Sequence, residues 1–174
     1  AIQNELDDIR ENASVRAVIF AANGPGFCAG HDMFELVANR KSDFYDELFD
    51  ACGHMMTSIM SLPQPVIARV QGVATAAGCQ LVATCDLAVA IDTAHFATPG
   101  VHIGLFCSTP MVALSRNIGR KQAMEMLILG DPCSADKALA IGLVNRVVNA
   151  NALDATVKEM TDKILDKSGY TMKV

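Results

Sequence analysis

The sequence predicts an α/β fold with parallel strands, in one domain spanning residues 1–174. Three observations carry this. Short apolar, β-branched runs alternate with segments of helical period along the whole chain. Hydrophobic residues make up 51% of the 174, enough for one sizeable core. No linker, low-complexity segment or internal sequence repeat divides the chain.

In order, residues 4–12 have the amphipathic pattern of a helix tail, and 15–21 form an apolar strand followed by a turn at Asn23-Gly-Pro-Gly26. Ser42 is the expected N-cap of a helix over 43–60, whose apolar positions Phe44, Leu48, Cys52, Met55, Met56 and Ile59 keep helical spacing. Pro63 and Pro65 end it, and 66–70 is the next strand. Residues 72–78 read as a small-residue turn, with a helix from about Ala77 to Thr84 and a buried strand over 87–91. Residues 95–106 read as loop. Helices are expected from Ser108, which also serves as an N-cap, from Gly119-Arg-Lys to Leu129, and after a Ser134 cap. A strand over 144–148 precedes a last helix over about 152–167. Neither end looks like a natural domain boundary, so the chain reads as part of a longer protein.

Composition excludes several function classes. The net charge is −5 and no Lys/Arg run exists, so there is no electrostatic footprint for nucleic acid or for an anionic membrane surface. Gln80, Asp86 and Asp92 interrupt the longest apolar stretches before they reach the roughly 18–20 residues of a membrane span. The N-terminal residues lack the basic start and apolar run of a secretory signal. The six cysteines (Cys28, Cys52, Cys79, Cys85, Cys107, Cys133) have irregular spacing and no CxxC pair, and His31, His54, His95 and His102 form no zinc pattern. They read as reduced thiols of a soluble protein in the cytoplasm or mitochondrial matrix, with no metal site.

Two loops carry chemistry. The segment from Gly24 to Met33 follows a strand and leaves backbone N–H groups free to face a cleft, where they can hold developing negative charge. The segment from Gln71 to Gln80 repeats the strand, small-residue turn, helix arrangement, with the positive end of a helix dipole at the turn. Taken singly, each is equally an ordinary turn or a close helix–strand packing site.

Together they carry a resemblance. Phe27-Cys-Ala-Gly-His-Asp-Met33, Pro65-Val-Ile-Ala with Gly72-Val-Ala and Ala77-Gly78-Cys79, Cys85-Asp86, Phe96-Ala-Thr-Pro-Gly100, and Gly130 through Gly142-Leu143-Val144 are similar, in order and spacing, to the blocks of the crotonase superfamily of enoyl-CoA hydratases and isomerases. The resemblance implies a crotonase (ClpP/crotonase-like) spiral of repeated ββα units over 1–148, with 149–174 beginning a helical C-terminal trimerisation region that is partly missing. It implies an acyl-CoA thioester ligand and a homotrimer or dimer of trimers. No cofactor would be bound permanently, since coenzyme A arrives as part of the substrate. It assigns the oxyanion-hole N–H groups to His31 and Ala77 and places Ala29, His31 and Asp32 at the CoA loop, Asp32 as a structural hydrogen-bond partner.

The pattern also departs from the family. Gln80 stands where the first hydratase glutamate belongs, and glutamine cannot take a proton at neutral pH. Gly100 stands at the second, and a backbone requirement for positive φ is one reason for glycine there. The acid of dienoyl isomerases falls near Ser108. The block from Gly104 to Pro110 resembles the family branch called enoyl-CoA hydratase domain-containing protein 3. Cys107, Ser108 and His102 are candidate substitutes, against a plainer reading of Cys107 as a small buried apolar residue. His31 is expected to work through its N–H, with the ring in solvent. Met55, Met56 and Met60 read as core or interface, and Asp86 as an orienter of backbone. Two functions stay open: a crotonase-class enzyme with altered chemistry, such as thioester hydrolysis, and a non-catalytic acyl-CoA binding or regulatory subunit.

Overall fold

The computed structural model describes residues 1–172. In chain order the elements are α1 (Ile2–Glu11), β1 (Val18–Phe20), α2 (Met33–Ala38), α3 (Ser42–Met60), β2 (Val66–Val70), β3 (Ala74–Thr75), α4 (Ala77–Thr84), β4 (Leu87–Ile91) and β5 (His95–Ala97). A 3-10 turn (Pro99–Ile103) follows, then α5 (Ser108–Asn117), α6 (Arg120–Leu129), β6 (Cys133–Ser134), α7 (Ala135–Ala140), β7 (Arg146–Val148), a 3-10 turn (Ala150–Ala152) and α8 (Leu153–Leu165).

The larger sheet has the order β1-β2-β4-β7 and is parallel throughout. Its central strands read Val-Ile-Ala-Arg-Val and Leu-Ala-Val-Ala-Ile because both faces are covered, so apolar side chains occupy both faces instead of alternating, Arg69 alone excepted, where the side chain pairs with Asp154. The smaller sheet has the order β3-β5-β6, and a bridge from Cys28 to Ala74 extends it backwards. Each turn of the chain contributes to both sheets and then to a helix: β2, β3, α4, and again β4, β5, α5. The repeat is structural and left no repeat in the sequence, because only burial and chain direction recur, not side-chain identity.

The core lies between the large sheet and its helices. Val66, Ile67, Ala68, Val70, Val89 and Ala90 are fully buried, as are Leu114, Leu127 and Phe96. In α4 every residue from Gly78 to Thr84 is buried, so small side chains let it pass between the strands and α5. Helix α8 lies back on β2 and β4 and buries Leu153, Val157 and Ile164. Among the described residues no helix is long and apolar enough to cross a membrane.

Several local expectations are corrected. Lys41, not Ser42, occupies the N-cap of α3, without a side-chain cap. Cys107, not Ser108, is the N-cap of α5; Ser108 is its first residue, with its N–H on the Phe106 carbonyl at 2.8 Å. Residues 72–78 and 95–106 contain strands β3 and β5, too short to show a period of two. The Ser134 cap forms, its hydroxyl accepting from Lys137 N. Asp86 accepts from Val66 N at 2.7 Å and so fixes the start of β2.

Candidate active site

The two small-residue loops are joined by backbone. Phe27 and Cys28 donate to the Val73 carbonyl at 2.9 and 3.2 Å, and Thr75 N donates to the Cys28 carbonyl at 2.9 Å. The Thr75 hydroxyl donates to the Ala29 carbonyl at 3.1 Å, and Ala76 N reaches Ala97 at 2.9 Å, tying in the third block. Two glycines make the approach possible. A Cβ on Gly78 would collide with the Cys28 carbonyl oxygen and stand 2.7 Å from its carbon. Gly30 has φ +92°, and a Cβ there would stand 3.0 Å from Ala76 Cβ and 3.3 Å from Ala77 N. The His31 and Ala77 segments are therefore neighbours. Among the described residues, the N–H groups of His31 and Ala77 donate to no protein acceptor. For Ala77 the reason is general: it opens α4, and the first amides of a helix have no acceptor within it.

These loops border a cleft of about 720 Å³. Of the residues singled out from the sequence, Ala29, His31, Ala77, Gly100, His102, Cys107 and Ser108 line it, and Gln80 and Asp32 do not. Asp32 caps α2, its carboxylate accepting from Phe34 N at 2.8 Å and Glu35 N at 3.4 Å. Gln80 is 7% exposed, and its Oε1 has no hydrogen-bond donor among the described residues.

The ring of His31 differs from its expected place in solvent. It is half-buried on the cleft wall, edge-on to Phe49 with ring centroids 5.3 Å apart. Burial lowers its pKa from the usual histidine value, with Glu35 opposing, so the imidazole is neutral near pH 7. Gly100 also differs in its reason for being glycine. Its φ is not positive; space is what excludes a side chain, since a Cβ would stand 2.8 Å from the Leu105 carbonyl oxygen and 2.9 Å from Cys107 Sγ. His102 turns its Nε2 towards Gly130.

Cys107 is half-buried on the cleft wall. Burial pushes the thiol pKa of Cys79 and of Cys85 up to about 12 and also raises those of Cys52 and Cys133. All six cysteines are free thiols, and among the described residues no cluster of potential ligands could hold a metal.

Two features escaped sequence reasoning. One is the apolar wall of Leu36, Phe49, Ile103, Leu105 and Phe106. Phe49 lies three and seven residues before Cys52 and Met56, at the edge of the apolar stripe of α3, yet it is 47% exposed. The other is Ala76, at φ 51° and ψ −119°, a backbone region that L-residues avoid, immediately before the Ala77 donor.

Comparison with known proteins agrees with this architecture. The family model of enoyl-CoA hydratase/isomerase matches residues 2–174. A relative from Xenopus laevis, the mitochondrial enoyl-CoA hydratase domain-containing protein 3, is 47% identical over 168 residues, covering 97% of this chain and 57% of the relative. The chain thus spans about half the length of the curated relatives it matches. The crystal structure of an enoyl-CoA hydratase from Mycobacterium smegmatis superposes with a TM-score of 0.97 at 53% identity, over 99% of this chain and 67% of that one. The human enoyl-CoA hydratase domain-containing protein 3 superposes with a TM-score of 0.93 at 44% identity, over 99% and 69%. With a spiral of this shape and a family match over nearly every residue, the chain belongs to the enoyl-CoA hydratase/isomerase family and has the crotonase fold.

Proposed function

We propose that the cleft binds an acyl-CoA thioester whose carbonyl oxygen accepts hydrogen bonds from the N–H groups of His31 and Ala77. The observation that carries this reading is the pair of free backbone donors on adjoining loops beside a cleft whose other wall is apolar. Such donors stabilise an enolate or tetrahedral oxyanion without a charged side chain. Leu36, Phe49, Ile103 and Phe106 offer the acyl chain an apolar surface. Coenzyme A comes and goes with the substrate, and no cofactor is retained.

Ordinary hydration is weak or absent in this reading. It needs one group to take a proton from water and another to deliver one to carbon, each worth about 10²–10⁴-fold. Gln80 has no acid–base capacity at neutral pH and is buried off the cleft wall, while Gly100 has no side chain. The same two positions favour a second reading, a non-catalytic acyl-CoA binding or regulatory subunit. We place the protein in the mitochondrion, the compartment that the names of its relatives give, as a homotrimer or dimer of trimers that engages neither nucleic acid nor membrane.

A thermal-shift series with acyl-CoA thioesters tests binding, because a ligand that prefers the folded state raises the midpoint. No shift with any thioester would sink this reading. Crotonyl-CoA hydration at about 10 s⁻¹ or faster, an ordinary enzyme rate, would show that other groups replace the glutamates. Gln80→Glu with Gly100→Glu is expected to raise hydration where either single change does little. The Gly100 change must also displace Leu105 and Cys107. A monomeric mass by light scattering would rule out the trimer.

A further inference from the structure

We infer that the cleft selects an uncharged hydrocarbon acyl chain of medium length, with Phe49 and Leu105 as specificity-determining residues. The inference rests on the acyl-CoA reading of the cleft and names the acyl class that it takes.

Charge decides the first part. Among the described residues, no aspartate, glutamate, lysine or arginine lines the cleft. A carboxylate at the far end of an acyl group would find no cation to pair with, and an unpaired charge taken out of water is costly. His31 supplies no counter-charge, since burial keeps its ring neutral near pH 7.

Apolar surface decides the second. Met33, Leu36, Phe49, Ile103, Leu105 and Phe106 line the cleft, and all but Leu36 are exposed. They come from α2, α3 and residues 103–106, so three separate stretches of chain turn apolar groups towards one space. Large apolar side chains left in water side by side mark a surface that an apolar ligand or partner covers. The occupant is an acyl chain because the same cleft holds the free amides of His31 and Ala77. A thioester held there by its carbonyl lays its acyl chain along these residues. Acetyl and butyryl groups are too short to cover six such side chains in a cleft of about 720 Å³.

Two of the six are set by the backbone that forms the site. His31, whose N–H is free, has its ring edge-on to Phe49 with centroids 5.3 Å apart. One residue thus faces the carbonyl with its amide and fixes Phe49 beside the carbons that follow. Leu105 donates its N–H to the Gly100 carbonyl at 2.9 Å, and its own carbonyl closes the space over Gly100. Its side chain is left exposed on the cleft wall.

The test measures dissociation constants for butyryl-, octanoyl- and succinyl-CoA by calorimetry. A fully buried methylene tightens binding about fourfold, and a half-covered one about twofold. Octanoyl-CoA is therefore expected to bind about tenfold tighter than butyryl-CoA or better. Succinyl-CoA, with the four carbons of butyryl and a terminal carboxylate, is expected to bind about tenfold weaker than butyryl-CoA. Phe49→Ala and Leu105→Ala should each cut the octanoyl-over-butyryl ratio about threefold. Leu165→Ala, exposed on α8 and not lining the cleft, should keep it. If Phe49→Ala does not fold, Leu105→Ala carries the test, since its side chain is exposed. Equal affinity for octanoyl- and butyryl-CoA, or succinyl-CoA as tight as butyryl-CoA, overturns the inference and spares the binding reading. Failure of every thioester to bind overturns both. A ratio unchanged in folded Leu105→Ala overturns the assignment to the wall. Loss of assembly mass by light scattering in that variant, with the ratio intact, puts the residue in a subunit contact and also overturns it.

Discussion

The cleft wall made by residues 28–31 and 75–77 and the wall made by residues 99–110 differ in what holds them. The first is backbone against backbone. Apart from the bond of the Thr75 hydroxyl to the Ala29 carbonyl, its hydrogen bonds run between main-chain groups at 2.9–3.2 Å, and Gly78 and Gly30 leave no room for a Cβ. The second is made of side chains, and Ile103, Leu105 and Phe106 are exposed. Donors made of backbone survive almost any change of side chain that keeps the residues small. A wall made of side chains can exchange its chemistry one residue at a time, and Gly100 stands on this wall.

The largest expected effect comes from challenging the first wall. Gly78→Ala drives a Cβ into the Cys28 carbonyl, where neither partner is a flexible side-chain end. Overpacking of this kind costs about 3 kcal/mol or more, and Leu105→Ala on the other wall should stay within about 0.5 kcal/mol. Urea unfolding of the two variants measures the contrast, and equal losses would abolish it.

Alkaline pH probes the thiols buried behind the walls. Cys79 and Cys85 are raised to about 12 in the folded chain, so above pH 9 the unfolded chain loses protons that the folded chain keeps. Stability should be full below pH 9 and fall above it, by about 1.4 kcal/mol per pH unit for each thiol. Cys79→Ala and Cys85→Ala, compared with wild type at pH 8 and pH 10, should each flatten the decline. On the acid side the sign is reversed for His31. Its folded pKa is lowered, so the unfolded chain takes the proton more readily and stability falls as pH drops through about 6.5. His31→Phe should reduce that fall.

Strain at Ala76 gives a smaller, stabilising effect. Ala76→Gly relieves a positive φ and should raise stability by about 1 kcal/mol, with acyl-CoA binding by thermal shift reporting whether the Ala77 donor has moved. Asp32→Ala removes the cap of α2 and should cost about 1 kcal/mol. Because Asp32 does not line the cleft, acyl-CoA affinity should change less than for any substitution on either wall.

Much of the fold could be read from the sequence where burial dictates composition. Val66–Val70 and Leu87–Ile91 are apolar runs, broken only by Arg69, because both faces of their sheet are covered, and their bounds match the expectation. Ala77–Thr84 likewise agrees, since Ala76 and Cys85 flank a helix of residues small enough to be enclosed. Strands of two and three residues, such as Ala74–Thr75 and His95–Ala97, could not be read, because pairing with neighbouring strands defines them and no local period does. The cleft was legible as to which loops meet, through motif order. Side-chain direction was not. Gln80 and His31 sit in equally small-residue surroundings in sequence, yet one is enclosed and the other faces the cleft. Gly100 showed the same limit, where crowding by Leu105 and Cys107 could not be told from a demand of the backbone.

In both sheets each strand joins the edge left by the strand before it: β2 on β1, β4 on β2, β7 on β4, and β5 on β3, β6 on β5. A chain wound in this way can be laid down in the order of its synthesis, each turn using the finished edge of the last as its template. The donors of His31 and Ala77 then come together once the second turn docks, before residues 99–110 have been made. The cleft acquires its backbone half first and its side-chain half later, so a change in the late wall leaves the early one already assembled.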